Sequence, residues 1–163
     1  MGLFTGMNIS ASALSAQKLR FDLIANNIAN INTTNTGKTT PGGNPIPYRR
    51  EVAVLSSRKP QEDFASFLSA RNKGLASEGV EVSRVVESNK PLRLEYNPDS
   101  PDAAKVAEPG IPVGYVRYPN VNLVEEMTDL ISASRSYEAN VTVLNSFKSM
   151  ASKALEIGKG EDK

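Results

Sequence analysis

The sequence predicts an α+β protein in which long N- and C-terminal helices pair as an antiparallel coiled coil, with a small loop-rich β module between them. Three observations carry that prediction. All ten prolines lie between Pro41 and Pro119. No glycine occurs from Met7 to Thr36 or from Tyr115 to Ile157. Apolar residues after Asn122 recur at alternating steps of four and three. A helix interior loses about 3 kcal/mol to a proline and about 1 kcal/mol to a glycine, so the breaker-free ends are helix-compatible and the middle is not. The chain divides into an N-terminal helix of the core domain (1–34), an extended connector (35–48), a β-rich module (49–118) and a long C-terminal helix of the core domain (119–163).

The N-terminal helix is expected from about Leu3 to Asn30. Met7, Leu14, Phe21 and Ile28 repeat every seven residues, half of a heptad seam. Ile24, Ile28 and Ile31 fall on one line of the helical wheel, widened by Phe21, Ala25 and Ala29. Asn26, Asn27 and Asn30 occupy the other side, below Leu19 and Leu23. Asparagine amides compete with the helix for its backbone and favour caps and turns. Two readings follow. Either the stripe frays the helix toward its C-cap, or the helix is buried among several neighbours and the amides bond across the contacts.

Asn32 to Tyr48, NTTNTGKTTPGGNPIPY, keeps no period of 2 or 3.6 and reads as loop. Gly37-Lys38-Thr39 is no phosphate-binding loop. The glycine required four residues earlier is missing, and Pro41 follows where a helix should start. Strands are expected at Arg49–Ser57, at Glu78–Glu87 through Val80, Val82 and Val85, at Pro91–Tyr96 as a hairpin with the preceding strand, and at Val113–Tyr118. A short helix is expected within Gln61–Asn72 around Phe64, Phe67 and Leu68.

The C-terminal helix is expected from Leu123 to Ile157. Leu123, Met127, Leu130, Ser134, Tyr137, Val141, Leu144, Lys148, Ala151 and Leu155 follow the four–three spacing without slip. A second ridge runs through Val143, Phe147, Met150, Ala154 and Ile157. Asn122 is the candidate N-cap, with Glu125 three residues on. Glu125, Glu126 and Asp129 suit the positive end of the helix dipole, and Lys148, Lys153 and Lys159 suit the other. Such a helix is about 50 Å long, more than a small β module can cover. The expected packing set is Leu14, Phe21, Ile24, Ile28 and Ile31 against Leu123, Met127, Leu130, Tyr137, Val141, Leu144 and Leu155. The second ridge, with Val143, Phe147 and Met150, still needs a partner, and Asn26, Asn27 and Asn30 form a polar interface.

Composition narrows the function. Nineteen Lys and Arg against eighteen Asp and Glu give a net charge of +1, so nothing draws the chain to nucleic acid. Cysteine and histidine are absent, which removes the usual nucleophile, general base and metal ligands. The Asn97–Asp102 turn lacks the glycine and downstream glutamate of a calcium loop. Among Glu78, Glu81, Glu87 and Glu95, Glu78 and Glu87 would point to opposite faces of one strand, unlike the facing carboxylates of a glycosidase. No catalytic, cofactor or metal site is expected. No apolar run is long enough for a membrane helix. The N-terminus lacks the basic and apolar regions of a secretory signal, so either the protein stays in the cytoplasm or it leaves without signal cleavage.

The segment SASALSAQKLRFDLIANNIANINTT resembles the N-terminal signature of the bacterial flagellar rod and hook proteins, the axial family. Pro47-Tyr48-Arg49-Arg50, the Asn97–Ala103 turn, Tyr115–Asn122 and MTDLISASRSYEANV from Met127 to Val141 resemble its proximal-rod members. The likeness covers both ends and most junctions, is weakest between Pro60 and Ala76, and departs at the insertion-like tract Thr36–Asn44. It implies a structural subunit, not an enzyme, that packs by its helices into the periplasm-crossing shaft of the basal body and transmits torque. It also implies partners: copies of itself, other rod proteins, basal-body adapter and MS-ring side components, and the flagellar type III export apparatus. Small-molecule substrates, cofactors and nucleic acid have no place in it. Export would be in the unfolded state without signal cleavage, with residues up to about Ala16 carrying the export signal. Two other readings remain open, another axial protein of the rod and a peptidoglycan-active or wall-binding module.

Overall fold

A computed structural model describes residues 3–58 and 79–158. Helix α1 runs Leu3–Ala29 and helix α2 runs Leu123–Gly158. Between them lie β1 (Glu51–Ser57), β2 (Val80–Glu87), β3 (Arg93–Tyr96) and β4 (Tyr115–Tyr118). The helix expected within Gln61–Asn72, and Glu78, lie outside the described residues.

Helix α2 starts where its cap directs, because the Asn122 Oδ1 accepts the Val124 N–H at 3.0 Å. Glu125 does not complete the capping box and instead receives Lys90. Helix α1 ends as the Asn26 carbonyl accepts both the Asn30 N–H and the Asn30 amide. These two asparagines therefore close the helix locally, as the capping reading expects.

Among the described residues the strands form two separate two-stranded sheets. β1 pairs with β2, bounded by Arg58 N–H on the Gly79 carbonyl at one end and Ser88 N–H on the Arg50 carbonyl at the other. β3 pairs antiparallel with β4, Arg93 opposite Tyr118 and Tyr96 opposite Tyr115. The hairpin expected between β2 and β3 does not form. The Ser88–Lys90 turn is held instead by the Asn120 amide, which donates to the Ser88 and Lys90 carbonyls, and β2 is already paired with β1. Strict alternation from Val80 and Val82 leads to a half-buried Val86, while Val85 is exposed.

The chain contacts separate into two compact units. One contains Met1–Arg20, Ala53–Arg84 and Ser132–Lys163; the other contains Phe21–Val52 and Val85–Ile131. In the first unit, Gly6 lies under the ring of Phe147, so close that a Cβ there would fall 2.5 Å from the ring. Helix α1 also meets the start of β2. The Ser12 hydroxyl accepts the Val80 N–H at 3.1 Å, and Gly79, at φ 120°, leaves no room for a Cβ beside Ser12. In the second unit, the loop after α1 doubles back between Thr36 and Ile46, turning at Gly43 with φ 84°. Asn44, fully buried, bonds the backbone of Lys105 and Val106, and Thr34 and Asn35 hold Asp102. No helix among the described residues is long and apolar enough to cross a membrane.

Candidate functional site

The most constrained chemistry lies in the second unit, where the end of α1, the start of β1 and the start of α2 converge. Asn27 is 1% exposed and Glu126 0%. The Asn27 amide nitrogen donates to the Glu51 carbonyl at 2.9 Å and to Glu126 Oε2 at 3.1 Å. Its oxygen accepts the Tyr48 hydroxyl and the Glu51 N–H, both at 2.9 Å. Two donors and two acceptor sites are all the group has, so its hydrogen bonding is complete.

Glu126 Oε1 accepts Arg50 Nε. The same guanidinium donates to Asp129 at 2.8 Å and lies 3.8 Å from Glu125. The backbone fixes Arg50 as well, its N–H donating to Asn120 Oδ1 at 2.9 Å. Lys90 closes the outer rim on Glu125 at 2.7 Å. A carboxylate with no solvent contact is tolerated only when paired and hydrogen-bonded, and both oxygens of Glu126 are.

The electrostatics follow the geometry. Burial first, then the charges of Glu51, Glu126 and Glu87, push the Tyr48 phenol up to about 12. For Arg50, burial works against the charge. The hydrogen bond it donates to Glu126 and the nearby charges of Glu126, Glu125 and Asp129 outweigh it and hold the guanidinium above its ordinary value. The hydrogen bond from Lys90 holds the Glu125 carboxyl below its usual range. A cluster so fully paired offers no free base or nucleophile and acts as a structural junction. Among the described residues no group of three or more Asp or Glu is placed to hold a metal ion. In the first unit an open hollow of about 540 Å³ is lined by Thr5, Asn8, Ala11, Ser12, Ser15 and Arg58. Among these described lining residues none is a carboxylate or histidine that could serve as a general base for its hydroxyls. Glu81, Glu87 and Glu95 are exposed strand residues.

The residues expected to pack are spread over different environments. Ile24 is buried; Leu14, Phe21, Ile28, Ile31, Leu130, Val141, Leu144 and Phe147 are half-buried. Leu123, Met127, Tyr137, Met150 and Leu155 are exposed in the single chain. Phe147, on the ridge expected to face neighbours, lies over Gly6 of its own chain. Of the polar interface, Asn27 alone is buried. Asn26 is exposed, and Asn30 bonds the Asn26 carbonyl and Thr33 among the described residues. Tyr48, Arg50 and Glu126 were missed as a site, because acids near a helix start read as dipole partners. The available signal was Glu126 itself, a charge bordering the seam positions Leu123 and Leu130, one turn away on either side.

The family profile for flagella basal body rod proteins matches residues 7–35, and the profile for the C-terminal region of flagellar basal body rod FlgEFG proteins matches residues 113–157. The flagellar basal-body rod protein FlgC of Bacillus subtilis is 45% identical over 161 residues, covering 98% of this chain and 100% of that protein. FlgC of Borreliella burgdorferi is 44% identical over 161 residues with the same coverage. FlgC of Salmonella typhimurium is 40% identical over 158 residues, 97% of this chain and 99% of that protein.

Proposed function

Because the chain belongs to the FlgC family of flagellar basal-body rod proteins, a structural subunit and not an enzyme, we propose that it builds the rod through an antiparallel pair of its terminal helices whose outer faces bind neighbouring subunits. The observation that carries this reading is apolar surface that the chain leaves bare. Leu123, Val124, Met127, Ile131, Val143, Met150, Leu155 and Ile157 on α2 are each at least 43% exposed. That much apolar surface along one helix calls for a partner. Two contacts support the antiparallel direction. Gly6 meets Phe147 in one unit, and Asn27 meets Glu126 in the other. From Gly6 to Asn27 is 21 residues forward and from Phe147 to Glu126 is 21 back, three heptads on each helix.

In this reading the neighbours are copies of the chain and other rod proteins, with adapter and MS-ring side components at the base. The subunit reaches the periplasm unfolded through the flagellar export apparatus, and the assembled shaft transmits torque by packing alone. The test is a clean deletion of the gene complemented with Met127→Glu or Ile131→Glu, scored for swimming, for subunit in the periplasm and for subunit in purified basal bodies. A charge on the bare face should leave export intact and abolish incorporation. Normal swimming of both strains would refute the reading.

A further inference from the structure

We propose that the buried Asn27–Glu126–Arg50 group sets the register of α1 against α2, an inference that rests on the antiparallel reading above. Gly6, Ala13, Arg20 and Asn27 are seven residues apart on α1; Glu126, Ala133, Asn140 and Phe147 are seven apart on α2. A heptad-spaced seam presents the same helix face after a slip of seven residues. Most of this seam discriminates poorly against such a slip. Gly6 and Ala13 are small, and apolar contact with Phe147 is non-directional.

The polar group discriminates sharply. In one slip Asn27 moves from Glu126 to Ala133, and an amide that makes four bonds loses its carboxylate partner. In the other, Glu126 comes opposite Arg20 while Asn27 passes the start of α2. Both slips also pull the chain apart at Arg50–Glu51, because both backbone groups of Glu51 are bonded to Asn27 on α1, whereas Arg50 is held to Glu126 and to Asn120 at the entry to α2. A buried ion pair adds little stability over an apolar replacement of similar volume, but one buried polar residue in a helical seam can fix its register. The same group ties the start of β1 to both helices, so the register also decides how far along α1 the apolar ridges of α2 are placed.

The absence of native cysteine makes the register readable. The full-length chain carries Ala13→Cys with one of Asn140→Cys, Ala133→Cys or Phe147→Cys, and intrachain disulfides are mapped after oxidation at dilute concentration. Disulfides need Cα atoms within about 7 Å. The native background should crosslink at 13–140 and not at 13–133 or 13–147. The variant Asn27→Leu/Arg50→Met/Glu126→Leu, with helix content followed by circular dichroism, should keep its helices. It should also crosslink at one slipped pair within about tenfold of the 13–140 yield, and Asn27→Leu alone should move part of the way. Exclusive 13–140 crosslinking in both variants overturns the inference, as does a triple variant that loses its helices, since the group would then hold the fold and not select among registers. Absence of 13–140 crosslinking in the native background instead refutes the antiparallel reading itself.

Discussion

Replacing Asn27 by leucine separates the two roles that its sequence stripe combines. The substitution removes four hydrogen bonds, to Tyr48, to Glu126 and to both backbone groups of Glu51. Tyr48 is half-buried and its hydroxyl can turn to water. Glu126 Oε2 has no access to solvent and the half-buried Glu51 groups have only part of it, and each orphaned buried group costs about 1–3 kcal/mol. The leucine returns about 1–2 kcal/mol of apolar burial, leaving a net loss of about 1–4 kcal/mol. Against a total stability of about 5–15 kcal/mol that loss is large. At a denaturant dependence of about 2 kcal/mol per molar, the urea midpoint of the full chain, followed by far-ultraviolet circular dichroism, should fall by about 0.5–2 M. Asn30→Leu loses only bonds to Asn26 and Thr33 within its own helix end, and should stay within about 0.5 kcal/mol of the parent. Equal midpoint shifts for the two variants would show that the amide network around Glu126 does not discriminate between them.

Gly6→Ala places a Cβ against the Phe147 ring and should cost about 1–3 kcal/mol. Phe147→Leu should relieve part of it, read as a coupling energy in a double-mutant cycle of urea midpoints. Gly79→Ala combines a φ of 120° with a Cβ 2.2 Å from the Ser12 hydroxyl oxygen. Ser12→Ala should therefore rescue it incompletely, and full rescue in thermal unfolding would disprove the backbone share. The Tyr48 phenol is raised from 10.0 to about 12 in the folded chain, so the folded state holds its proton more tightly than the unfolded one. Its stability contribution is complete below pH 10 and is lost between pH 10 and 12. Tyr48→Phe should remove that loss from the pH dependence of the urea midpoint, and an unchanged alkaline slope would refute the assignment.

The breaker map and the local chemistry of the ends were decided by the sequence. Proline and glycine placement acts through backbone geometry that no distant contact can repair cheaply. It fixed where α1 and α2 lie, with the α2 cap at Asn122 and the strands confined between. Asparagine at 26 and 30 likewise closes α1 through bonds to its own backbone. The tertiary structure decided which face of each helix is covered. α1 is apolar on two sides, and a 3.6-residue period cannot say which side meets which neighbour. Strand partners also escaped the sequence, because turn residues at Ser88–Lys90 permit a hairpin without choosing between β1 and β3 as the partner of β2. Most of all, the junction depends on pairs 21 to 99 residues apart. Asn27 differs from Asn26 and Asn30 only in facing Glu126, Tyr48 and Glu51. Arg50 reaches Glu126 and Asp129, whereas Arg49 bonds the Ser88 carbonyl. Local periodicity carries no information about such distant partners, since the free energy of a buried polar group depends on what surrounds it after folding.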